Sequence, residues 1–88
     1  IGYPTVAEDL AVIRAMRAAA GPSMAIMVDY NQCLTPSEAL ARVRALDGEG
    51  LTWIEEPTLA HDYAALAHCA AAARTPLQAG ENWWGALD

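Results

Sequence analysis

Three carboxylates carry the chemistry most readily read from the chain: Asp29, Glu55 and Glu81 stand 26 positions apart, each at the end of an apolar run. Met24-Ala25-Ile26-Met27-Val28 leads into Asp29, Leu51-Thr52-Trp53-Ile54 into Glu55, and Pro76-Leu77-Gln78-Ala79-Gly80 into Glu81. If these runs are neighbouring parallel strands, their C-terminal ends emerge on one rim and the three acidic side chains meet there. Ionised groups ~5 Å apart at an effective dielectric of ~20 repel by on the order of 3 kcal/mol per pair, so a cation is expected between them. An all-carboxylate set suits a hard divalent ion, Mg2+ first and Mn2+ next, whereas zinc more often recruits His or Cys. The plainer alternative is three separate solvated charges or helix caps. Asn31 shares the face of Asp29 if the strand persists, where it can meet substrate; it is equally at home in a turn.

Glu55 has an acidic neighbour in Glu56, and successive strand side chains point to opposite faces, so only one of the pair can join the cluster. Glu55 keeps the 26-residue phase. Pro57 biases Glu56 toward an extended or turn conformation that continues the alternation. Glu56 is therefore expected to point elsewhere, to a hydrogen-bond or charge partner.

The elements that must position these groups alternate between helix and strand. Thr5-Val6-Ala7-Glu8 forms a capping box that starts a helix over 6–20, with Leu10, Ile13 and Met16 or Arg17 at helical spacing and Gly21-Pro22 as the stop. The near-continuous apolar run over 24–30 predicts a strand covered on both faces. Thr35-Pro36-Ser37-Glu38 is a second capping box with Pro at the first helical position, and Leu40, Val43 and Leu46 supply a buried stripe that ends at Gly48 or Gly50. A second strand covers 51–55. Asp62 caps a third helix to roughly Arg74, and an irregular third strand covers 76–81. Such alternation predicts the α/β class, parallel β/α units joined by right-handed crossovers, and three strands are too few to close a sheet. A (β/α)8 barrel needs roughly 200–250 residues, so residues 1–88 amount to about a third of one.

Composition narrows the partners. The chain is 55% hydrophobic and 18% charged, too apolar for a disordered segment, and its net charge is −6. Five arginines and no lysine leave no basic stripe for nucleic acid. No run approaches the ~20 apolar residues of a membrane span, and the start lacks a signal-peptide pattern. Cys33 and Cys69 read as free packing thiols in a reducing, cytoplasmic setting and are assigned no metal.

Taken together, Val28-Asp29-Tyr30-Asn31-Gln32, Thr52-Trp53-Ile54-Glu55-Glu56-Pro57-Thr58-Leu59 with His61-Asp62-Tyr63, and Gly80-Glu81-Asn82-Trp83 resemble the metal-binding segment of the enolase superfamily, in its mandelate racemase-like branch. The similarity runs over essentially the whole chain in the same order. Muconate cycloisomerases resemble it less, since they usually carry Asp where Glu81 stands. The resemblance implies part of a (β/α)8 barrel in which Asp29, Glu55 and Glu81 hold Mg2+, Mn2+ being an alternative, and Asn31 lies near the 2-hydroxyl of a small 2-hydroxy carboxylate. The implied reaction is abstraction of the α-proton through a metal-stabilised enediolate, in an enzyme expected to be a homo-oligomer when complete.

The chain departs from the family in lacking its acid and base residues. A Lys-x-Lys element is expected just before Ile1 and a His-Asp pair beyond Asp88, and the capping domain and remaining strands fall outside residues 1–88. No catalytic residue is therefore assigned within the segment. His61 and His68 do not match the family's catalytic His, and Trp83 and Trp84 suit packing better than a pocket wall. An acid-sugar dehydratase of the same superfamily is the alternative to a racemase, and a non-catalytic metal-binding or assembly fragment is the alternative of a different class.

Overall fold

A computed structural model describes residues 1–83. In chain order the elements are α1 (Val6–Ala20), β1 (Val28–Asp29), α2 (Pro36–Leu46) running into a 3-10 turn (Asp47–Glu49), β2 (Ile54–Glu55), α3 (Tyr63–Ala72) and β3 (Leu77–Gln78). The three strands form one parallel sheet in the order β1-β2-β3, with Val28 opposite Ile54, Asp29 opposite Glu55, Ile54 opposite Leu77 and Glu55 opposite Gln78. This is the expected α/β class. The strands are shorter than the sequence runs, although ladder-type hydrogen bonds extend past them, from Thr52 N to Ile26 O (2.9 Å) through Gln32 N to Glu56 O (2.8 Å).

The helices begin where side-chain chemistry starts them. At α2 the capping box is complete, with Thr35 Oγ1 accepting from Glu38 N and a Glu38 carboxylate oxygen accepting from Thr35 N (2.9 Å). At α1 only the forward half forms, from Glu8 N to Thr5 Oγ1 at 3.2 Å. Asp62 caps α3 by accepting from Ala65 N. Asp47 accepts from Arg74 N, Thr75 N and Thr75 Oγ1, which staples the end of α2 to the approach of β3 and holds its carboxyl below the usual range.

All three helices pack on one sheet face, in a core of Ile13, Ile26, Val28, Tyr30, Leu34, Ala39, Val43, Leu46, Leu51, Ile54 and Cys69. Among the described residues the other face is uncovered, so the expected coverage on both sides is seen on one side only. Ile26, Val28 and Tyr30 are buried while Ala25 and Met27 between them are exposed, because three parallel strands have helices to cover one face only. Cys69 packs in the core as expected, its thiol pushed up by burial and by the nearby Asp62 charge; Cys33 is exposed instead, and both are free.

The core also holds a charged network that hydrophobic patterning does not reveal. Asp9, on α1, is fully buried and accepts from Gly2 N (3.1 Å) and Tyr3 N (3.0 Å) on one oxygen, and from Tyr30 Oη (2.7 Å) and the Arg42 guanidinium on the other. Arg42, on α2, also donates to Tyr3 O (2.9 Å) and Pro4 O (3.2 Å). Four segments meet in this network. Burial opposes the Asp9 charge, but the bonds from Tyr30, Tyr3, Gly2 and Arg42 outweigh it and hold the carboxyl below its ordinary value.

Asp9→Ala would leave Arg42 buried without its counter-charge and is expected to cost about 3–5 kcal/mol in chemical denaturation. Arg14→Ala, which breaks a pair with Glu49 whose Arg side chain is 65% exposed, should barely move the midpoint. Because folding depresses its pKa, Asp9 contributes its full stabilisation above the unfolded value of ~3.9 and loses it as pH falls through the lower folded value. An acid titration should therefore show a steeper loss below about pH 4 in the wild type than in Asp9→Asn.

Candidate metal centre

The parallel register sets the first two charges side by side. Asp29 and Glu55 are register partners at the C-terminal ends of β1 and β2, both half-buried and both on the face away from the helices. Glu81 reaches them by a different route. The register partner of Glu55 is Gln78, so Glu81 lies beyond the end of β3, in a turn. The equal 26-residue spacing is therefore not a structural repeat, and the expectation that Glu81 ends the irregular third strand is corrected: β3 stops at Gln78. Gly80 makes the turn with φ +127°, a conformation that an L side chain rarely adopts, and Trp83 N donates to Gly80 O at 3.1 Å. The result is one cluster: an oxygen from each of Asp29, Glu55 and Glu81 lies within 4.8 Å of the others.

Glu56 turns away from this cluster, as expected. Its side chain is fully buried, and Asn82 Nδ2 donates to both carboxylate oxygens, at 3.0 and 2.9 Å. The backbone does not continue the strand as the Pro57 bias predicts, since Glu56 adopts φ +43°. Tertiary hydrogen bonds override the local bias: Glu56 N donates to Gln78 O (2.9 Å) and Glu56 O accepts from Gln32 N (2.8 Å), which pins the residue between the flanking strand ends.

Asn31 lies in a turn, not on a persisting strand. Its φ is +51° and that of Gln32 is +66°, and Asn31 N donates to Asp29 Oδ1 at 2.8 Å, an Asx-type contact that Asn tolerates well in the left-handed region. It is exposed, directly beside Asp29. His61 and His68 are also exposed, His61 Nδ1 lying 3.5 Å from Tyr63 Oη. Trp83 packs edge-on against Tyr63, with centroids 5.9 Å apart, and its Nε1 donates to Ala60 O. Trp84 lies outside the described residues. The partnership of Glu56 with Asn82 was the feature most concealed in the sequence, since it joins a strand end to a turn outside the ladder register.

Three carboxylates from three strand ends offer oxygen donors and up to three negative charges, a donor set that fits a hard divalent cation. No other group of three His, Cys, Asp or Glu side chains converges in this way among the described residues.

Fold and site together define a class: parallel β/α proteins that gather polar side chains at the carboxyl rim of the sheet, where barrel active sites lie. The whole chain, residues 1–88, matches the family described as enolase C-terminal domain-like, and it belongs to that family. Among curated relatives, the D-galactarolactone cycloisomerase of Agrobacterium fabrum is 40% identical over 91% of this chain and 21% of its own length. The L-talarate/galactarate dehydratase of Salmonella typhimurium is 40% identical over 92% of this chain and 20% of its own. A crystal structure of a Bradyrhizobium enolase complexed with magnesium and mandelic acid superposes with a TM-score of 0.89 at 43% identity, covering 96% of this chain and 23% of that one. The chain thus spans about a fifth of the curated relatives it matches. The resemblance carried by Ile54-Glu55-Glu56-Pro57 and Gly80-Glu81-Asn82 is borne out at the level of family and fold.

If the cluster is electrostatically strained without a cation, removing one charge should relieve it. Glu81→Gln in EDTA-containing, low-salt buffer is expected to raise the unfolding free energy, read from chemical denaturation, by on the order of 1 kcal/mol after solvent screening. The gain should fade in high salt.

Proposed function

We propose that Asp29, Glu55 and Glu81 bind Mg2+, with Mn2+ as a substitute, in an enzyme that removes the α-proton of a 2-hydroxy carboxylate in a racemase-like reaction. The observation that carries this reading is the convergence of the three carboxylate oxygens within 4.8 Å. The magnesium-containing Bradyrhizobium structure supports it. A divalent ion held there supplies Lewis-acid stabilisation of negative charge developing on the substrate carboxylate.

The chain's own residues divide the remaining tasks. Asp29 and Glu55 present their charges from adjacent strands, and Glu81 closes the set from its turn. The exposed Asn31 amide, next to Asp29, is placed to hydrogen-bond the substrate hydroxyl. The chain contains no lysine, and its histidines sit on or beside α3, so the acid and base that move the proton are assigned outside residues 1–88. We accordingly take these residues as the metal-binding segment of a longer barrel. The uncovered sheet face bearing Met27, 45% exposed, supports that reading, since further strands and their side chains would enclose it.

A second reading within the family is an acid-sugar dehydratase, favoured by the 40% identity to the talarate/galactarate enzyme. The two reactions share proton abstraction and differ in the next step, which is return of a proton in one and loss of a hydroxyl as water in the other.

The 88-residue chain by itself is expected to leave mandelate and galactarate unchanged, because positioned acid-base groups typically contribute ~10²–10⁴-fold. The complete enzyme in D2O with Mg2+ should exchange the α-proton, and Asp29→Asn should abolish the exchange. Exchange with inversion marks the racemase, and net loss of water the dehydratase. Exchange that survives both EDTA and Asp29→Asn would overturn the reading. Binding should also stabilise the fold: at a hundredfold excess of Mg2+ over its Kd, the gain over EDTA is about 2.7 kcal/mol.

A further inference from the structure

Each charge of the cluster is followed in the chain by a polar residue anchored on the opposite side. Asp29 is followed by Tyr30, whose hydroxyl donates to buried Asp9 at 2.7 Å. Glu55 is followed by Glu56, and Glu81 by Asn82, and these two successors are bonded to each other through both oxygens of Glu56, at 3.0 and 2.9 Å. A cluster residue shares a planar peptide unit with its successor, so holding the successor restricts how the cluster residue can project.

Glu56 is the most constrained of the three. Its N–H and C=O are bonded to Gln78 and Gln32, its side chain is fully buried, and its φ of +43° is held against intrinsic preference. A buried carboxylate is retained at a cost unless its lone pairs are satisfied, and Asn82 is the side chain that satisfies it. Asn82 lies in the same turn as Glu81, beyond the last paired residue of β3, where no ladder bond fixes the chain. Trp83 anchors the far end of this turn on Ala60 O, and the Glu56–Asn82 contact ties the part next to Glu81 back to the strand end bearing Glu55.

We infer that Glu56 and Asn82 form a clamp that positions Glu81 against Asp29 and Glu55 and so sets the divalent-cation affinity of the cluster, without either residue touching the ion. The inference rests on the metal-binding reading proposed above. Removing the clamp leaves all three cluster carboxylates present and the turn still held at Trp83, but loosens it next to Glu81, so binding weakens while the fold persists.

The test measures free Mn2+ by electron paramagnetic resonance in the complete enzyme of which residues 1–88 are proposed to be part. Wild type is compared with Asn82→Leu, which removes both donated bonds at similar volume, and with Glu56→Gln, which keeps one acceptor for the Asn82 amide. Val43→Ala, a core change on α2 away from the rim, controls for lost stability. The expected result is an affinity loss of about 10- to 100-fold for Asn82→Leu, a smaller loss for Glu56→Gln, and no change for Val43→Ala. If Asn82→Leu does not fold, Glu56→Gln decides alone. Wild-type affinity in the folded clamp variants, or an equal loss in Val43→Ala, would overturn the clamp while leaving the metal site standing. A wild type without saturable Mn2+ binding, or one whose binding survives Asp29→Asn, would overturn the metal site itself and the clamp with it.

Discussion

Gathering an oxygen from each of three carboxylates within 4.8 Å is a configuration that electrostatics opposes and the backbone must therefore impose. The parallel pairing of β1 with β2 does this for Asp29 and Glu55, since register partners on neighbouring strands lie side by side and project to the same face. It cannot do so for Glu81, which lies past the ladder. There the constraint passes to a left-handed glycine and to a side-chain bond from the adjacent Asn82. Two different devices produce one cluster, and the less rigid of them governs the third ligand candidate.

The polar residues on the helix side of the sheet belong to the same scheme. Tyr30 and Glu56 occupy positions that an ordinary hydrophobic core would fill with apolar side chains, yet both are fully buried. Tyr30 ends in the Asp9–Arg42 network and Glu56 in the Asn82 amide, so neither leaves an unsatisfied group. Such networks contribute little net stability compared with apolar packing. What they add is direction. A hydrocarbon core tolerates small rotations of a strand end, whereas directional hydrogen bonds to a buried carboxylate restrict its orientation.

Much of this arrangement was legible in the sequence because local rules and tertiary demands coincide. The capping box at Thr35 and Glu38 starts α2 at Pro36, Gly21 ends α1, and apolar runs closed by acidic residues mark the three strands. That Glu55 and not Glu56 joins the cluster was expected from strand alternation, although Glu56 itself leaves the strand with positive φ. Legibility fails where long-range bonds override local preference. Asn31, Gln32 and Glu56 all take positive φ, and each is held by a bond to a residue that no local rule identifies, or to a side chain close by that the turn itself brings into reach. Asp9 was concealed for a related reason: an acidic residue in the first turn of a helix suits the helix dipole, and nothing local distinguishes that ordinary role from the centre of a buried network.

The two faces of the sheet also differ in how complete they are. On the helix side, residues from α1, α2 and α3 close a continuous core over the strands. On the other side, Met27 is 45% exposed and Asp29 and Glu55 look out from the same surface. The charged cluster therefore sits at the edge of a surface that is apolar below and acidic above. Enclosing that surface with further strands would lower the dielectric around the three carboxylates and strengthen both their mutual repulsion and their attraction for a cation. On the uncovered face of the described sheet water screens the three charges, and any enclosure would raise their demand for a compensating cation.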